Sequence, residues 1–269
     1  MQKKIILITG ISSGLGKETA ALLAKAGHIV YGSTRRSAET PEGVLAITID
    51  VQNTESINAA VQKVIEKEGR IDVLINNAGM GLTGAVEEYS EEEAMVEMNT
   101  NFMGTFRLCK AVLPYMRKEK QGTIINMSSI GGIMGLPFQG FYSASKFAIE
   151  GMSEALRYEV KQFNIKVVVL RPGDFYTSFT ANRKKIVKAS DDSAYAAQFT
   201  KSLACIERDE SKGQKPIKLA KKILQIVGKK SPQSRYIISS FEQKLAVWLK
   251  SILPPKLFYL IIGDHYGIK

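Results

Sequence analysis

Tyr142-Ser143-Ala144-Ser145-Lys146 sets a phenol and an ammonium four residues apart at what reads as a helix start, so both side chains share one face. A phenol has a pKa of about 10 in water, and it serves as a general acid or base near neutral pH only where its phenolate is stabilised. A lysine fixed one turn away can do that. A shift of about three units requires roughly 4 kcal/mol of differential interaction, within reach of one partly desolvated cation and a second positive charge. The same spacing also arises by accident on helix surfaces, so the elements around it have to decide.

A second constellation lies at the start of the chain. Thr9-Gly10-Ile11-Ser12-Ser13-Gly14-Leu15-Gly16 follows an apolar run over residues 3–9 and opens an Ala-rich helix over 18–25 that stops at Gly27. Glycines in a strand–turn–helix setting let a pyrophosphate approach the backbone N–H groups at the helix start. An acidic residue about twenty positions on would bind a ribose 2′-hydroxyl and repel a 2′-phosphate. The next strand ends instead in Thr34-Arg35-Arg36, and guanidinium suits phosphate, so the nucleotide read here is NADP(H). The alternative is that Arg35 and Arg36 are ordinary surface charges.

Gly10-Ile11-Ser12-Ser13-Gly14 also fits the Gly-x-Ser-x-Gly elbow of serine hydrolases. Such an enzyme needs a histidine base, and the chain holds only His28, in the next helix–strand connection, and His265, in the tail. The elbow sits on the first strand, which leaves no earlier strand loop for a second oxyanion donor. The hydrolase therefore stands as a remote alternative.

The elements that must carry these residues alternate. Strands read at 29–33, 44–49, 71–76, 122–127, 166–170 and 235–238. Helices read at 54–68, at 90–117 behind the capping box Ser90-Glu91-Glu92-Glu93, at 141–163 and, after Pro216, at 216–227. This order predicts an α/β fold, a doubly wound parallel sheet of about seven strands flanked by helices, with ligands at the carboxyl ends of the strands. One domain over 1–240 is expected, with an insertion at 174–215 serving as a lid beside the ligand edge and a basic patch at 183–188. A partly disordered excursion is the other reading of that insertion. Residues 241–269 form an amphipathic helical tail broken by Pro254-Pro255, which either packs on the body or a partner subunit or rests on a membrane.

The 269 residues suffice for a full core, and the start of the chain is too soon interrupted by glycine to read as a secretory signal or membrane span. A cytoplasmic protein is expected, membrane-associated only through the tail. Cys109 and Cys205 are too few for a disulfide framework, and with two histidines no zinc-type ligand cluster is visible in the spacing. A net charge of +11 points to anions, but no aromatic–basic pattern accompanies it and no nucleic-acid role is expected.

Taken together, Thr9 to Gly16, Asn76-Asn77-Ala78-Gly79, Ser128-Ser129, Tyr142-x-x-x-Lys146 and Pro172-Gly173-x-x-x-Thr177 resemble, in order and spacing, the short-chain dehydrogenase/reductase family. Residues 129–138 and 142–148 look most like its 17β-hydroxysteroid and retinol dehydrogenase branch. The resemblance implies a Rossmann-type fold and hydride transfer between NADP(H) and an apolar ketone or aldehyde, or the matching alcohol. It implies Tyr142 as general acid/base, Lys146 lowering its pKa and bonding the nicotinamide ribose, Ser129 polarising the carbonyl, and Asn101 holding a water for proton relay. Asn99 is the rival for that last role. Asn77, Ala78 and Gly79 would line the cofactor cleft, Asp50 and Val51 the adenine, and Pro172, Gly173 and Thr177 the carboxamide end, beyond the loop of Gly10, Ser12, Ser13, Gly14, Leu15 and Gly16. Ile133, Met134, Leu136, Pro137 and Phe138 would floor the substrate pocket. Partners implied are a small apolar substrate and further copies of the chain, as a homodimer or homotetramer. A non-catalytic NADP(H) sensor or scaffold on the same fold is the alternative.

Overall fold

The computed structural model describes residues 2–36, 39–178, 183–189 and 192–268. Its strands are β1 (Ile5–Thr9), β2 (Ile29–Thr34), β3 (Val44–Thr48), β4 (Val73–Asn76), β5 (Leu82–Thr83), β6 (Gly122–Met127), β7 (Ile165–Pro172), β8 (Lys184–Lys185) and β9 (Arg235–Ile238). Seven of them form one parallel sheet in the order β3-β2-β1-β4-β6-β7-β9. The order reverses direction beside β1, where β2 lies on one side and β4 on the other. That switch point is where an open parallel sheet holds ligands.

Alternation along the strands builds a layer on each face. Ile6 and Ile8 of β1 pack with Leu23 of α1 (Gly14–Lys25) and with Ile223 and Ile226 of α7 (Pro216–Val227). Ile5 and Leu7 face the other way, against Val61 and Val64 of α2 (Thr54–Glu68) and Val112 and Met116 of α4 (Gly104–Lys118). Burial on both faces explains why these strands read as continuous apolar runs.

The expected helix over 90–117 is interrupted. Its capping box forms, with Ser90 Oγ accepting from the Glu93 N–H and Glu93 Oε2 accepting from the Ser90 N–H. A π-turn over Asn99–Met103 then separates α3 (Glu91–Met98) from α4. A π-turn widens the hydrogen-bond ring by one residue and re-aims the side chains within it. Here it turns Asn101 inward to full burial. α5 (Gly140–Val160) carries Tyr142 and Lys146 in its first two turns, and the Glu150 carboxylate accepts two bonds from Arg171 of β7, at 2.9 and 2.8 Å, fixing the helix to the sheet.

The insertion after β7 is structured in its described parts, while residues 179–182 and 190–191 of the expected lid lie outside the described residues. A bridge pairs Phe175 with Gln214, β8 pairs with β5, and α6 spans Ala196–Ser211. The tail forms α8 (Phe241–Ile252) and α9 (Pro255–His265), separated at the prolines. One side of the tail packs on the body, where buried Phe258 joins Ile130 and Met134 and draws in Val247, Leu253 and Ile262. Its other side exposes Leu245, Trp248, Ile252, Leu260 and Ile261. Among the described residues no helix is long and apolar enough to cross a membrane.

Candidate active site

The carboxyl ends of β1, β2, β4, β6 and β7 open on one cavity of about 570 Å³, the size of a cofactor or ligand cleft. The loop between β1 and α1 forms one wall. Gly10 and Gly14 hold φ of +71° and +57°, the left-handed region that glycine enters without strain. A Cβ on Gly16 would stand 2.2 Å from the Gly10 carbonyl oxygen, so only hydrogen fits there. Asn77 buttresses the loop by donating its Nδ2 to the carbonyls of Thr9 and Gly10 at 2.8 and 2.9 Å. The α1 start has no side-chain cap and no acidic residue in its first turn, so its N–H groups face the cavity unopposed by carboxylate. This cradle fits the pyrophosphate of a dinucleotide. Thr177 closes over it from the far side: a Cβ on Gly14 would lie 3.4 Å from the Thr177 Cβ.

At the end of β2, Thr34 and Arg35 line the cavity. Arg36 does not; it is exposed, and its carbonyl accepts a hydrogen bond from Thr34 Oγ1. Of the two arginines read as a phosphate pair, the fold therefore brings only Arg35 to the wall. Ser12, Ser13, Leu15, Asp50, Val51, Ala78, Gly79, Pro172 and Gly173 are on the lining as expected.

Ser129, Tyr142 and Lys146 meet on the floor. Ser129 begins a short turn, its Oγ accepting from the Gly131 N–H at 3.0 Å, and it also hydrogen-bonds Tyr142. Lys146 is buried, donates to the Met127 carbonyl at 3.0 Å and lies 5.6 Å from the centroid of the Tyr142 ring. Burial lowers Lys146 to about 8, against an upward pull from Glu97. Tyr142 moves opposite to the expectation: burial raises it to about 12, outweighing the Ser129 hydrogen bond, and Glu210 and Glu97 push the same way as burial. In the polypeptide by itself, burial disfavours the phenolate and the ammonium is turned to the Met127 carbonyl.

Asn101 does not line the cavity. Its Oδ1 accepts from the Met80 N–H at 2.8 Å, and its Nδ2 donates to the Met80 carbonyl at 2.9 Å and to Ser145 Oγ at 3.0 Å. It still stands beside the lysine, since a Cβ on Gly79 would lie 3.2 Å from Asn101 Oδ1 and 3.7 Å from Lys146 Nζ. The rival, Asn99, makes no side-chain hydrogen bond among the described residues, and its carbonyl accepts from Arg107 and from the Gly104 N–H.

The expected apolar floor is corrected in part. Leu136 lines the cavity, but Met134 turns down into the cluster with Phe258, and Phe138 meets Phe199 of α6 edge-on, with ring centroids 5.4 Å apart. Ile133 and Pro137 are likewise off the lining. Carboxylates missed by the sequence reading take up part of the wall: Asp174, Asp209 and Glu210. Burial and the two neighbouring carboxylates raise Asp174 to about 6. Glu210 pairs with Arg183, and Gln243 of the tail donates to Asp174 Oδ2 at 2.6 Å. These residues come from distant segments, so no local motif announces them.

Neither of the histidines that the hydrolase alternative would need lines the cavity. His28 is buried at the opposite edge of the sheet, its Nδ1 accepting from the Lys4 N–H at the start of β1, and His265 Nε2 lies 2.8 Å from Asp209.

A profile of the family described as short chain dehydrogenase matches residues 4–187. The chain is 50% identical over 269 residues, all of both chains, to a 3-ketodihydrosphingosine reductase of Bacteroides thetaiotaomicron. It superposes on a short-chain dehydrogenase from Streptomyces avermitilis with a TM-score of 0.82 and 31% identity, covering 98% of each chain. It also superposes on ElxO with NADP bound, with a TM-score of 0.73 and 26% identity, covering 88% of this chain and 97% of the other.

Proposed function

The chain belongs to the short-chain dehydrogenase family, and on that premise we propose that it is an NADP(H)-dependent reductase of a long-chain amino ketone of the sphingoid type. The observation that carries the reading is the meeting of Ser129, Tyr142 and Lys146 on the cavity floor. A bound nicotinamide supplies or accepts the hydride. Carbonyl reduction then leaves charge on oxygen, where Ser129 Oγ can donate a hydrogen bond and Tyr142 Oη can donate its proton. The high pKa of Tyr142 suits a group that must hold its proton until that charge develops. Lys146 steadies the tyrosinate left behind and, as a buried ammonium beside Gly79, is placed to bond the cofactor ribose. Arg35 at the end of β2 supports a 2′-phosphate and hence NADP(H) over NAD(H).

The substrate class rests on the Bacteroides relative and on the acidic wall. A 3-ketodihydrosphingosine carries an ammonium beside its ketone and a long alkyl chain. Asp174 and Glu210 offer the ammonium a counter-charge, and a cation there offsets the upward pull of Glu210 on Tyr142. Leu136, Ile130 and Ile206 supply apolar wall for the chain. The exposed apolar residues of α8 and α9, next to the exposed Lys244 and Lys256, support contact of the tail with an anionic bilayer from which such a lipid is drawn. Exposed Phe106 and Phe147 on α4 and α5 support a homodimer or homotetramer.

The test is NADPH consumption with 3-ketodihydrosphingosine and with a ketone of equal chain length lacking the amine. The amino ketone is expected to give a kcat/KM at least tenfold higher. Equal values would remove the acidic wall from recognition, and no turnover of either would remove the substrate class.

A further inference from the structure

Two side chains of one helix and a third from the tail converge where the tail meets α6. Cys205 and Asp209 stand one turn apart on α6, and His265 is the last residue of α9. Sγ of Cys205 is 3.6 Å from His265 Nε2 and 3.6 Å from Asp209 Oδ2, and the last two atoms are 2.8 Å apart. Tetrahedral zinc, with Zn–S of about 2.3 Å and Zn–N and Zn–O of about 2.0 Å, places its sulfur about 3.5 Å from the other ligand atoms and those about 3.3 Å from each other. Two edges of the triangle already match. The third needs about 0.5 Å of opening, which exchange of the His265–Asp209 hydrogen bond for two metal bonds would provide.

From this triangle we infer that Cys205, Asp209 and His265 form a three-ligand site for a borderline-soft divalent cation of the zinc class, which fastens α9 to α6. Thiolate, imidazole and one carboxylate select zinc over magnesium or calcium, which take oxygen ligands. Binding forms an S–metal bond as the thiol proton leaves to solvent, and one thiolate and one carboxylate then balance the ion's two charges. The other polar neighbours agree with this. Asp209 Oδ1 accepts from Arg208 Nε at 3.1 Å, leaving Oδ2 for the metal and keeping Arg208 as an outer partner. Arg208 Nη2 also touches Sγ at 3.2 Å, and its half-exposed side chain has solvent to move into. The thiol now donates to the His265 carbonyl at 3.2 Å, a bond that metal binding ends. A fourth coordination position remains for water. Asp209 and Tyr266 both line the cavity, so the metal would fix two elements of its wall without entering the reaction.

The test is cobalt titration of the full-length, chelator-treated chain. One equivalent is expected to give a thiolate-to-cobalt charge-transfer band with the intense visible bands of tetrahedral cobalt, bleached by one equivalent of zinc. Zinc is expected to slow amide exchange in α9 at least tenfold. Cys205→Ser should abolish the charge-transfer band, His265→Ala should weaken binding at least thirtyfold, and Cys109→Ser should change neither. A pale octahedral spectrum, no saturation near one equivalent, or a charge-transfer band that survives Cys205→Ser would overturn the site.

Discussion

The Lys146 ammonium stands 5.6 Å from the centroid of the Tyr142 ring, tethered to the Met127 carbonyl rather than to the phenol. Burial has lowered it to about 8, so its charge is lost as pH rises through that value. Reduction is expected to slow as pH rises through about 8, because a neutral amine no longer steadies the tyrosinate. Lys146→Arg should move that alkaline limb upward by more than one unit, since guanidinium keeps its proton. A pH profile of kcat/KM decides, and an unmoved limb would dissociate it from the lysine.

Glu97 is fully buried, with Oε1 accepting from the Leu82 N–H at 3.0 Å and Oε2 without a hydrogen-bond partner among the described residues. Burial raises it to about 7 from an ordinary 4.5. The folded pKa lies above the unfolded one, so the stability of the protonated form is fully present below about pH 4.5 and is lost as pH rises towards about 7. Glu97→Gln keeps the bond to Leu82 and removes the charge. It should stabilise the fold above pH 7 by on the order of 3 kcal/mol and flatten its dependence between those limits. Urea denaturation at pH 5 and pH 8 checks this; equal gains at both would contradict the cause given.

Arg35 reaches the cavity and Arg36 does not. Arg35→Ser should raise the KM for NADPH about ten- to a hundredfold, the range of a lost charge-assisted hydrogen bond. Arg36→Ser should change it less than threefold, and neither should alter the KM for NADH much. Equal effects of the two substitutions in steady-state kinetics would put the phosphate elsewhere.

Trp248 is the chain's single tryptophan and is 57% exposed on the outer side of α8. Its emission should shift to the blue on addition of anionic phospholipid vesicles, and less on zwitterionic ones because of the neighbouring lysines. Vesicle flotation of the intact protein gives an independent reading. No shift and no flotation would leave the tail as a packing element only.

What the sequence announces is local. The glycine loop, the strand alternation and Tyr142-x-x-x-Lys146 were legible because turn geometry and helical spacing act over a few residues. The break at Asn99–Met103 was hidden because a π-turn needs no glycine or proline to mark it. The loop position of Met134 points to the pocket floor, but its neighbour Phe258 lies in the tail, beyond any local period. Asp174, Glu210 and Gln243 reach the cavity through the insertion and the tail, whose paths no periodicity fixes. Likewise, no ligand cluster is visible in the spacing of two cysteines and two histidines, because only the packing of α9 on α6 carries His265 to Cys205 across sixty positions.

In the proposed function Tyr142 donates the proton to the reduced carbonyl. The most direct measurement is single-turnover NADPH oxidation by wild type and by Tyr142→Phe with 3-ketodihydrosphingosine, with NADPH affinity measured alongside. The predicted result is a rate lower by about 10²–10⁴ in the variant with NADPH affinity within threefold of wild type. A variant that oxidises NADPH at the wild-type rate would contradict it.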